Sequence, residues 1–492
     1  MELTALLVAA AVLLIALCWI CRPDPRLPPS PRRPLPILGH LLYMANDCRP
    51  QFQEWRNRCG DIYSLYLGGT LVVVLNGFDL IKEALVKKAD IFSDRPPYFY
   101  NESIGMGDKG VIFSNGANWK EQRSVGMSIL RAFGMGKNLL AGKIQEEVDY
   151  YIKYLASLNG KPSNIRIMTN ISTSNIICSI LIGHRFEYGD TYFQDLMHKL
   201  TELVNDLQNT SIVNFFFWLR YLPGDLFLAK KIETNMRAIM AMLVKFIEEK
   251  KHHVDDANDV CNLIDAYMIE RNKKIQSGAS TSLDDQNLLK IMMDLFGAGT
   301  ETTSTTIYWC LLYLLRHPDV QDKVYLEIKD KVGTDRAPNM QDKGQLTYLN
   351  AVIMESQRLA SIVPLSVTHT CSEEVSLKGY TIPKGTYILT NLDTVLHDKA
   401  TWGEDAMSFR PERFIDDNGK LQAPDQFIPF GIGRRVCLGE SIAKMELFLF
   451  LSNMFQRFHF VPAVPCSGQQ IDCDYGLIIA PKPYEVMAIE RQ

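Results

Sequence analysis

The stretch "LTALLVAAAVLLIALCWIC", Leu3 to Cys21, carries no charge and divides the chain before any other feature is weighed. A run of this length spans a bilayer as a helix. The competing reading is a cleaved signal peptide. Against that reading, no Lys or Arg precedes the run and no small-x-small site closes it. Arg22, Arg26, Arg32 and Arg33 follow it, whereas Glu2 precedes it. Positive residues stay on the cytosolic side, so the rest of the chain is expected to face the cytosol. Residues 1–21 therefore read as a single-pass membrane anchor. Residues 22–37 follow as a hinge with seven prolines between Pro23 and Pro36. Proline fixes φ and removes a donor, so the hinge reads as a stiff, extended spacer, though a disordered linker would serve the same role. The sequons at Asn101, Asn170 and Asn209 would stay unmodified in a cytosolic domain.

A chain of 492 residues suggests about three domains on length alone. Yet no second linker resembles 23–36, and no repeat or low-complexity tract appears. Residues 38–492 are therefore expected to form one catalytic domain. Helical periodicity covers 117–131, 140–157, 227–252, 285–316, 318–331 and 346–361. Residues 61–77 read as a hairpin turning at Gly68-Gly69, 78–89 as a helix, and 379–392 as a pair of short strands. The expected fold is mainly α with a minor β-sheet. The net charge of −4 gives no reason to expect nucleic acid or a polyanionic substrate. Of eleven cysteines, only Cys18 and Cys21 are spaced C-x-x-C, inside the apolar run. That pattern is neither a disulfide framework nor a zinc site. Reduced thiols fit the cytosol.

One cysteine stands apart, in "PFGIGRRVCLGE" (429–440). A helical pattern begins just after Cys437, with Gly439 and Glu440 in its first turn. Unpaired N–H groups and the helix dipole there favour a thiolate. Gly431, Gly433 and Gly439 lack Cβ atoms, so a flat ligand could lie against the loop. Arg434 and Arg435 could meet acid groups on that ligand. Zinc or an iron–sulfur cluster would need further clustered ligands, whereas haem needs one proximal ligand. A buried structural cysteine on a glycine turn remains the alternative at this point.

From Phe430 to Gly439 the segment matches F-x-x-G-x-R-x-C-x-G at every defined position and resembles the haem loop of cytochrome P-450. The resemblance implies the cytochrome P-450 fold behind an N-terminal transmembrane helix, with haem as cofactor. It also implies Cys437 as axial iron ligand and a loop built on Phe430, Gly433, Arg435 and Gly439.

Other segments resemble the same family. "DLFGAGTETTSTT" (294–306) interrupts a long apolar helical pattern with acids and hydroxyls. Asp294 and Glu301 argue against a second membrane span, since such a charge costs about 2.5–3.5 kcal/mol at mid-helix. A buried helix with a local groove accounts for them better. By resemblance, Glu301 and Thr302 are catalytic and deliver protons on the distal side. "WKEQR" places Trp119 and Arg123 one turn apart, and by resemblance both reach the haem acid groups, as does His369 in "PLSVTHT". A core histidine is the plain alternative for His369. "ESQR" and "FRPERF" supply Glu355, Arg358 and Arg413, which the resemblance makes a structural network. "NIICSILIGHRF" (175–186) looks most like family 2 and its microsomal relatives. Ser30 departs from the usual P-P-G-P of the spacer, and "SV" follows "WKEQR" where many relatives have Arg and an aromatic.

The resemblance implies a haem-thiolate monooxygenase of the endoplasmic reticulum membrane, inserting one oxygen atom from O2 into a lipophilic fatty acid, steroid or xenobiotic. Electrons would come from NADPH through a flavoprotein reductase, with Arg131, Lys137, Arg434 and Lys444 as candidate docking cations. Solvated surface charge is the equal alternative for those four. Pocket positions by family segment are Phe99, Phe113, Phe296, Ala298, Val363, Val367, Leu477 and Ile478. The aromatic run "VNFFFWLRYLPG" (213–224) reads either as core or as a membrane-contacting surface. Two rival functions are a haem-thiolate isomerase or dehydratase of lipid peroxides and a non-enzymatic haem protein. The intact Glu301-Thr302 pair weighs against the first. The lack of His, Met or Cys in 298–302 weighs against the second.

Overall fold

The computed structural model describes residues 24–133, 138–209, 211–251, 262–465 and 471–491. The proposed anchor and Lys137 lie outside the described residues. Among the described residues, no helix is long and apolar enough to cross a membrane.

The longer helices are α1 (Cys48–Cys59), α2 (Gly116–Ala132), α3 (Asn138–Ser157), α4 (Arg166–Leu181), α5 (Thr191–Asn209) and α6 (Ala229–Lys251). They continue with α7 (Leu263–Gln276), α8 (Asp285–Arg316), α9 (Pro318–Lys331), α10 (Thr347–Ala360) and α11 (Glu440–Arg457). The strands are β1 (Ile62–Leu67), β2 (Thr70–Asn76), β3 (His369–Thr370), β4 (Val375–Leu377), β5 (Tyr380–Ile382) and β6 (Tyr387–Asn391). β7 (Phe458–Pro462), β8 (Cys473–Asp474), β9 (Ala480–Pro481) and β10 (Val486–Glu490) complete them.

Helix α8 organises the molecule. Asp284 caps it by accepting the Asn287 N–H, and Pro318 opens α9 just beyond its end. At 32 residues it runs for about 48 Å. Its first half packs in a core cluster with α4, α5, α6 and α7, and its second half in another with α3, α9, α10 and α11. Gly299 lets α4 come close, because a Cβ there would lie 2.5 Å from Ile177 Cδ1. Helix α4 offers no periodicity to read: its residues from Thr169 to Cys178 are all buried, so it has no polar face.

The main sheet has the order β1-β2-β6-β3, with β1 and β2 antiparallel and β2 and β6 parallel. The expected pair of short strands at 379–392 is present, but the two do not pair with each other. β5 pairs with β4, while β6 joins the main sheet. The cause is the turn at Gly385 (φ 81°), whose N–H bonds to Cys371 O.

The hinge is corrected too. From Leu27 onward it is packed on the domain instead of standing off as a spacer. Ser64 Oγ donates to Pro28 O at 2.7 Å and Ser64 N–H to Pro29 O at 2.9 Å. His40 is fully buried. Its Nδ1 accepts the Tyr66 N–H at 3.0 Å, so Nε2 carries the proton and faces Arg32 O at 3.0 Å.

Candidate active site

The cysteine loop is closed by its own backbone. Cys437 N–H donates to Phe430 O at 3.1 Å, and Gly431 and Gly433 turn the chain with φ of 76° and 82°. A Cβ on Gly433 would sit 2.2 Å from Leu85 O. Gly433 therefore serves close packing against the 83–87 turn, and the expected role of receiving a flat ligand is corrected for it. Around Gly439 nothing lies within 4 Å of the Cβ position, so that face is open.

Cys437 is exposed. Helix α11 begins at Glu440 with Gly439 as its N-cap, leaving the sulfur just ahead of the cap. Burial of its surroundings pushes the thiol up, against the Gly439 and Glu440 backbone groups and Arg123, which pull it down. The groups expected to favour a thiolate are thus present beside the sulfur.

Beside the loop stands a cluster of cations. Arg435 Nε donates to Ser93 O at 2.8 Å and its Nη2 to Ser114 O at 2.7 Å. Arg123 Nη2 donates to Val436 O at 2.6 Å. His369 Nδ1 faces Phe92 O at 2.8 Å, and burial together with Arg95 drives its pKa well below the usual histidine range. The ring is therefore neutral, with the proton on Nδ1. Arg95 joins the cluster, buried, donating Nη1 to Thr368 O at 2.9 Å. Sequence reasoning missed Arg95, because "SDRPP" matches no pattern that would single it out. Burial and mutual repulsion lower Arg435 to about 8 and Arg95 to about 10.

These contacts test whether haem fits. Among the described residues, the ion pairs include none for Arg95, Arg123 or Arg435. Trp119 Nε1 and Arg95 Nε are buried without partners. Three cations held by carbonyls, with two idle donors among them, need an anion to be stable at neutral pH. The acid groups of haem supply one, and the sulfur of Cys437 lies on the same loop as Arg435.

Helix α8 presents the other wall. It is packed by α4, α6, α10 and α11, yet Ala298 is exposed and Thr302 half-exposed. Surface in the middle of an enclosed helix belongs to an interior space. Thr302 Oγ1 donates to Ala298 O at 2.7 Å along this face. Glu301 points away from it, into the contact with α4 and α5. Its Oε1 accepts Asn170 Nδ2 at 3.0 Å and Thr201 Oγ1 at 2.6 Å. Burial raises its pKa, partly opposed by Thr201.

Of the expected pocket residues, Phe113, Val363, Val367 and Ile478 are half-buried and Leu477 is exposed. Phe99 and Phe296 are corrected: at 1% and 0% exposed they are core residues with no surface to offer a ligand. A cavity of about 30 Å³ lies between Thr306, Val363 and Pro429, so α8 and the cysteine loop meet there.

Glu355, Arg358 and Arg413 are joined behind the loop. Arg358 reaches Glu355 with Nε at 2.8 Å and Nη2 at 2.9 Å, and Arg413 Nε adds a third bond at 3.0 Å. Of the docking cations, Arg434 pairs with Asp90 and Lys444 with Glu440 at 2.6 Å. Arg131 is exposed.

A site of uncompensated cations around one open cysteine suits a flat dianionic tetrapyrrole whose iron takes a single thiolate, which defines the class of haem-thiolate proteins. Comparison with known proteins narrows the class to a family. The family model described as Cytochrome P450 matches residues 28–488. Cytochrome P450 2U1 of Bos taurus is 37% identical over 99% of this chain and 94% of its own length. Cytochrome P450 2D6 of Homo sapiens is 38% identical, covering 95% of this chain and 94% of its own. The chain belongs to the cytochrome P450 family. It is a haem-dependent monooxygenase.

Proposed function

We propose that this protein is a membrane-bound oxygenase of a lipophilic fatty acid, steroid or xenobiotic, fed with electrons from NADPH by a flavoprotein reductase. The observation that carries the reading is the cluster of Arg95, Arg123 and Arg435, none of them in an ion pair among the described residues, beside the accessible Cys437. When bound, haem held by a thiolate would supply the activation of O2 that places one oxygen atom in the substrate and releases the other as water. Cys437 would hold the iron. Arg95, Arg123, Arg435 and Trp119 Nε1 would hold the acid groups, with His369 packed among them. Ala298, Phe113, Val363, Val367, Leu477 and Ile478 give the substrate an apolar bed. Glu301, whose pKa burial raises, is the proton carrier in this reading, and Thr302 Oγ1 would pass the proton into the interior space. Transfer requires the Glu301 side chain to leave Asn170 and Thr201.

Membrane attachment rests on the anchor read at 1–21 and on an exposed apolar surface. Phe217 (40% exposed), Trp218 (60%), Tyr221 (73%) and Leu226 (73%) stand out from the domain. Gly68, which follows the hinge-bound strand β1, packs against Phe216 in the same run. Exposed Trp and Tyr suit a bilayer interface. The arginines after the anchor favour a cytosolic domain, and the likeness to family 2 cytochromes P450 supports an endoplasmic reticulum location.

The test is the reduced, carbon-monoxide-bound spectrum of wild type and Cys437→Ala. A strongly red-shifted Soret band lost in the variant is expected. A histidine-type spectrum in folded wild type would overturn the reading. Product formation from fatty acids and steroids should then require both NADPH and reductase. Turnover of a lipid peroxide without them would favour an isomerase.

A further inference from the structure

Lys290 and Asp294 lie one turn apart on α8, with side chains 4% and 2% exposed, and the site above leaves both without a role. Their carboxylate and ammonium are in direct contact. Asp294 Oδ2 also accepts two backbone groups from another part of the chain, Val111 N–H at 2.9 Å and Ile112 N–H at 3.1 Å. Two turns earlier, Asn287 Oδ1 accepts Gly110 N–H at 3.1 Å. Gly110 has φ 79°, and a Cβ there would lie 2.5 Å from Asp294 Oδ2 and 2.6 Å from Lys290 Cγ. Consecutive N–H groups of 110–112 are thus pinned to α8, at a point where only glycine fits.

The acceptors of the same segment face the haem side. Val111 O accepts Arg435 Nη1 at 3.2 Å, and Ser114 O accepts Arg435 Nη2 at 2.7 Å. Asn115 Oδ1 accepts the Arg95 N–H at 2.7 Å, and Asn115 Nδ2 returns a bond to Arg95 O at 2.9 Å. Between these contacts sits Phe113, with Lys290 Nζ 5.4 Å from its ring centroid. Residues 110–115 form a strut. One side is held by the buried ion pair, and the other holds two of the cluster's arginines and a pocket-facing ring.

We propose that Lys290 and Asp294 are positioning residues that act through this strut on Arg435, Arg95 and Phe113. The proposal rests on the reading that Arg95 and Arg435 hold the haem acid groups. Asp294 supplies the acceptor that ties down the segment. Lys290 supplies the counter-charge that lets a carboxylate remain there, and it backs the Phe113 ring. Removing Lys290 alone leaves a buried carboxylate without its counter-ion, the costliest of the possible changes. Removing both charges leaves a neutral amide still able to accept a backbone N–H.

The test uses full-length haem-loaded protein carrying Lys290→Met, Asp294→Asn, or both, with Arg435→Met as reference. Three quantities are read: haem transfer to an apoglobin scavenger, amide exchange of the 110–112 peptide, and KM against kcat. Lys290→Met should speed haem loss about tenfold, raise exchange at Val111 and Ile112, and raise KM with little change in kcat. The double variant should lie closer to wild type than Lys290→Met. Should Lys290→Met not fold, Asp294→Asn and the double variant carry the same readouts. A general fall in melting temperature, with exchange at 111–112 and haem transfer at wild-type rates, overturns the proposal. Unchanged haem transfer in Arg435→Met would instead overturn the underlying reading of the cation cluster, and the haem-side half of the proposal with it.

Discussion

The guanidinium carbon of Arg435 lies 3.8 Å from the centroid of the Trp119 ring, whose Nε1 is buried and unbonded. The ring covers the cation on one side, three carbonyls and Asn115 hold its N–H groups, and among the described residues no carboxylate forms an ion pair with it. Such an arrangement is stable only with an anion in place. Arg435→Met should therefore yield folded protein that retains little haem. Trp119→Phe keeps a ring under the cation but loses the idle donor, worth about 1.5–3 kcal/mol when bonded to a charged group. It should retain haem but release it roughly ten- to a hundredfold faster. Haem-to-protein ratio and transfer kinetics check both.

The Glu355 carboxylate receives Arg358, Arg413 and the Arg410 N–H at 2.9 Å, with Glu355 and Arg358 both 0% exposed. Breaking a buried pair from one side leaves an uncompensated charge, at about 3–5 kcal/mol. Glu355→Gln and Arg358→Met should each lower stability by this amount. Glu355→Gln combined with Arg358→Met should cost less than the sum. Denaturant unfolding of the three variants decides the matter, and full additivity would count against a buried coupled network.

Much of this was legible in the sequence, and the reasons for the rest are physical. Cys437, Trp119, Arg123 and Glu355 stand in dense local patterns, so they can be named from the chain alone. Helices 285–316 and 318–331 read to the residue because Asp284 and Pro318 mark their starts. Arg95 could not be named, since its role comes from packing against 367–368 and Asn115, far off in sequence. Phe99 and Phe296 were placed by family segment, and segment position does not say which way a ring turns. The hinge looked free because proline content reports stiffness, whereas docking depends on Ser64 and His40.

Glu446 lies on α11, 1% exposed, beside Thr303 of α8 and with Oε1 unbonded. Burial raises its carboxyl to about 8, slightly opposed by Thr303. The folded state thus binds a proton that the unfolded chain releases near pH 4.5. The stability this contributes is full below that pH and is lost as pH rises through 8. Glu446→Gln mimics the protonated acid and should remove the dependence. Relative to this variant, wild type should lose roughly 2–4 kcal/mol between pH 5 and pH 8.5. Parallel stability curves for the two proteins would show that Glu446 is ionised throughout.

His40 ties the hinge to the domain through two ring nitrogens of opposite role. Nδ1 accepts from Tyr66, and Nε2 donates toward Arg32 O, beside Ser30 Oγ at 3.1 Å. Ser30 adds its own bond to Arg32 O at 2.7 Å. Burial lowers the His40 pKa, so the ring stays neutral and this pattern holds at neutral pH. Leucine of similar bulk would take the Nδ1 acceptor from the Tyr66 N–H, at about 1–3 kcal/mol, and would leave Arg32 O with only its Ser30 bond. His40→Leu should therefore free the hinge before it unfolds the domain. Trypsin should cut after Arg32 at a much higher rate, while the haem spectrum stays intact. Ser30→Gly removes one bond from a half-exposed site and should raise cutting by severalfold at most. Equal cutting in His40→Leu and wild type would mean that the Ser64 and Thr381 contacts alone hold the strap, since Thr381 N–H also bonds Arg26 O at 2.9 Å.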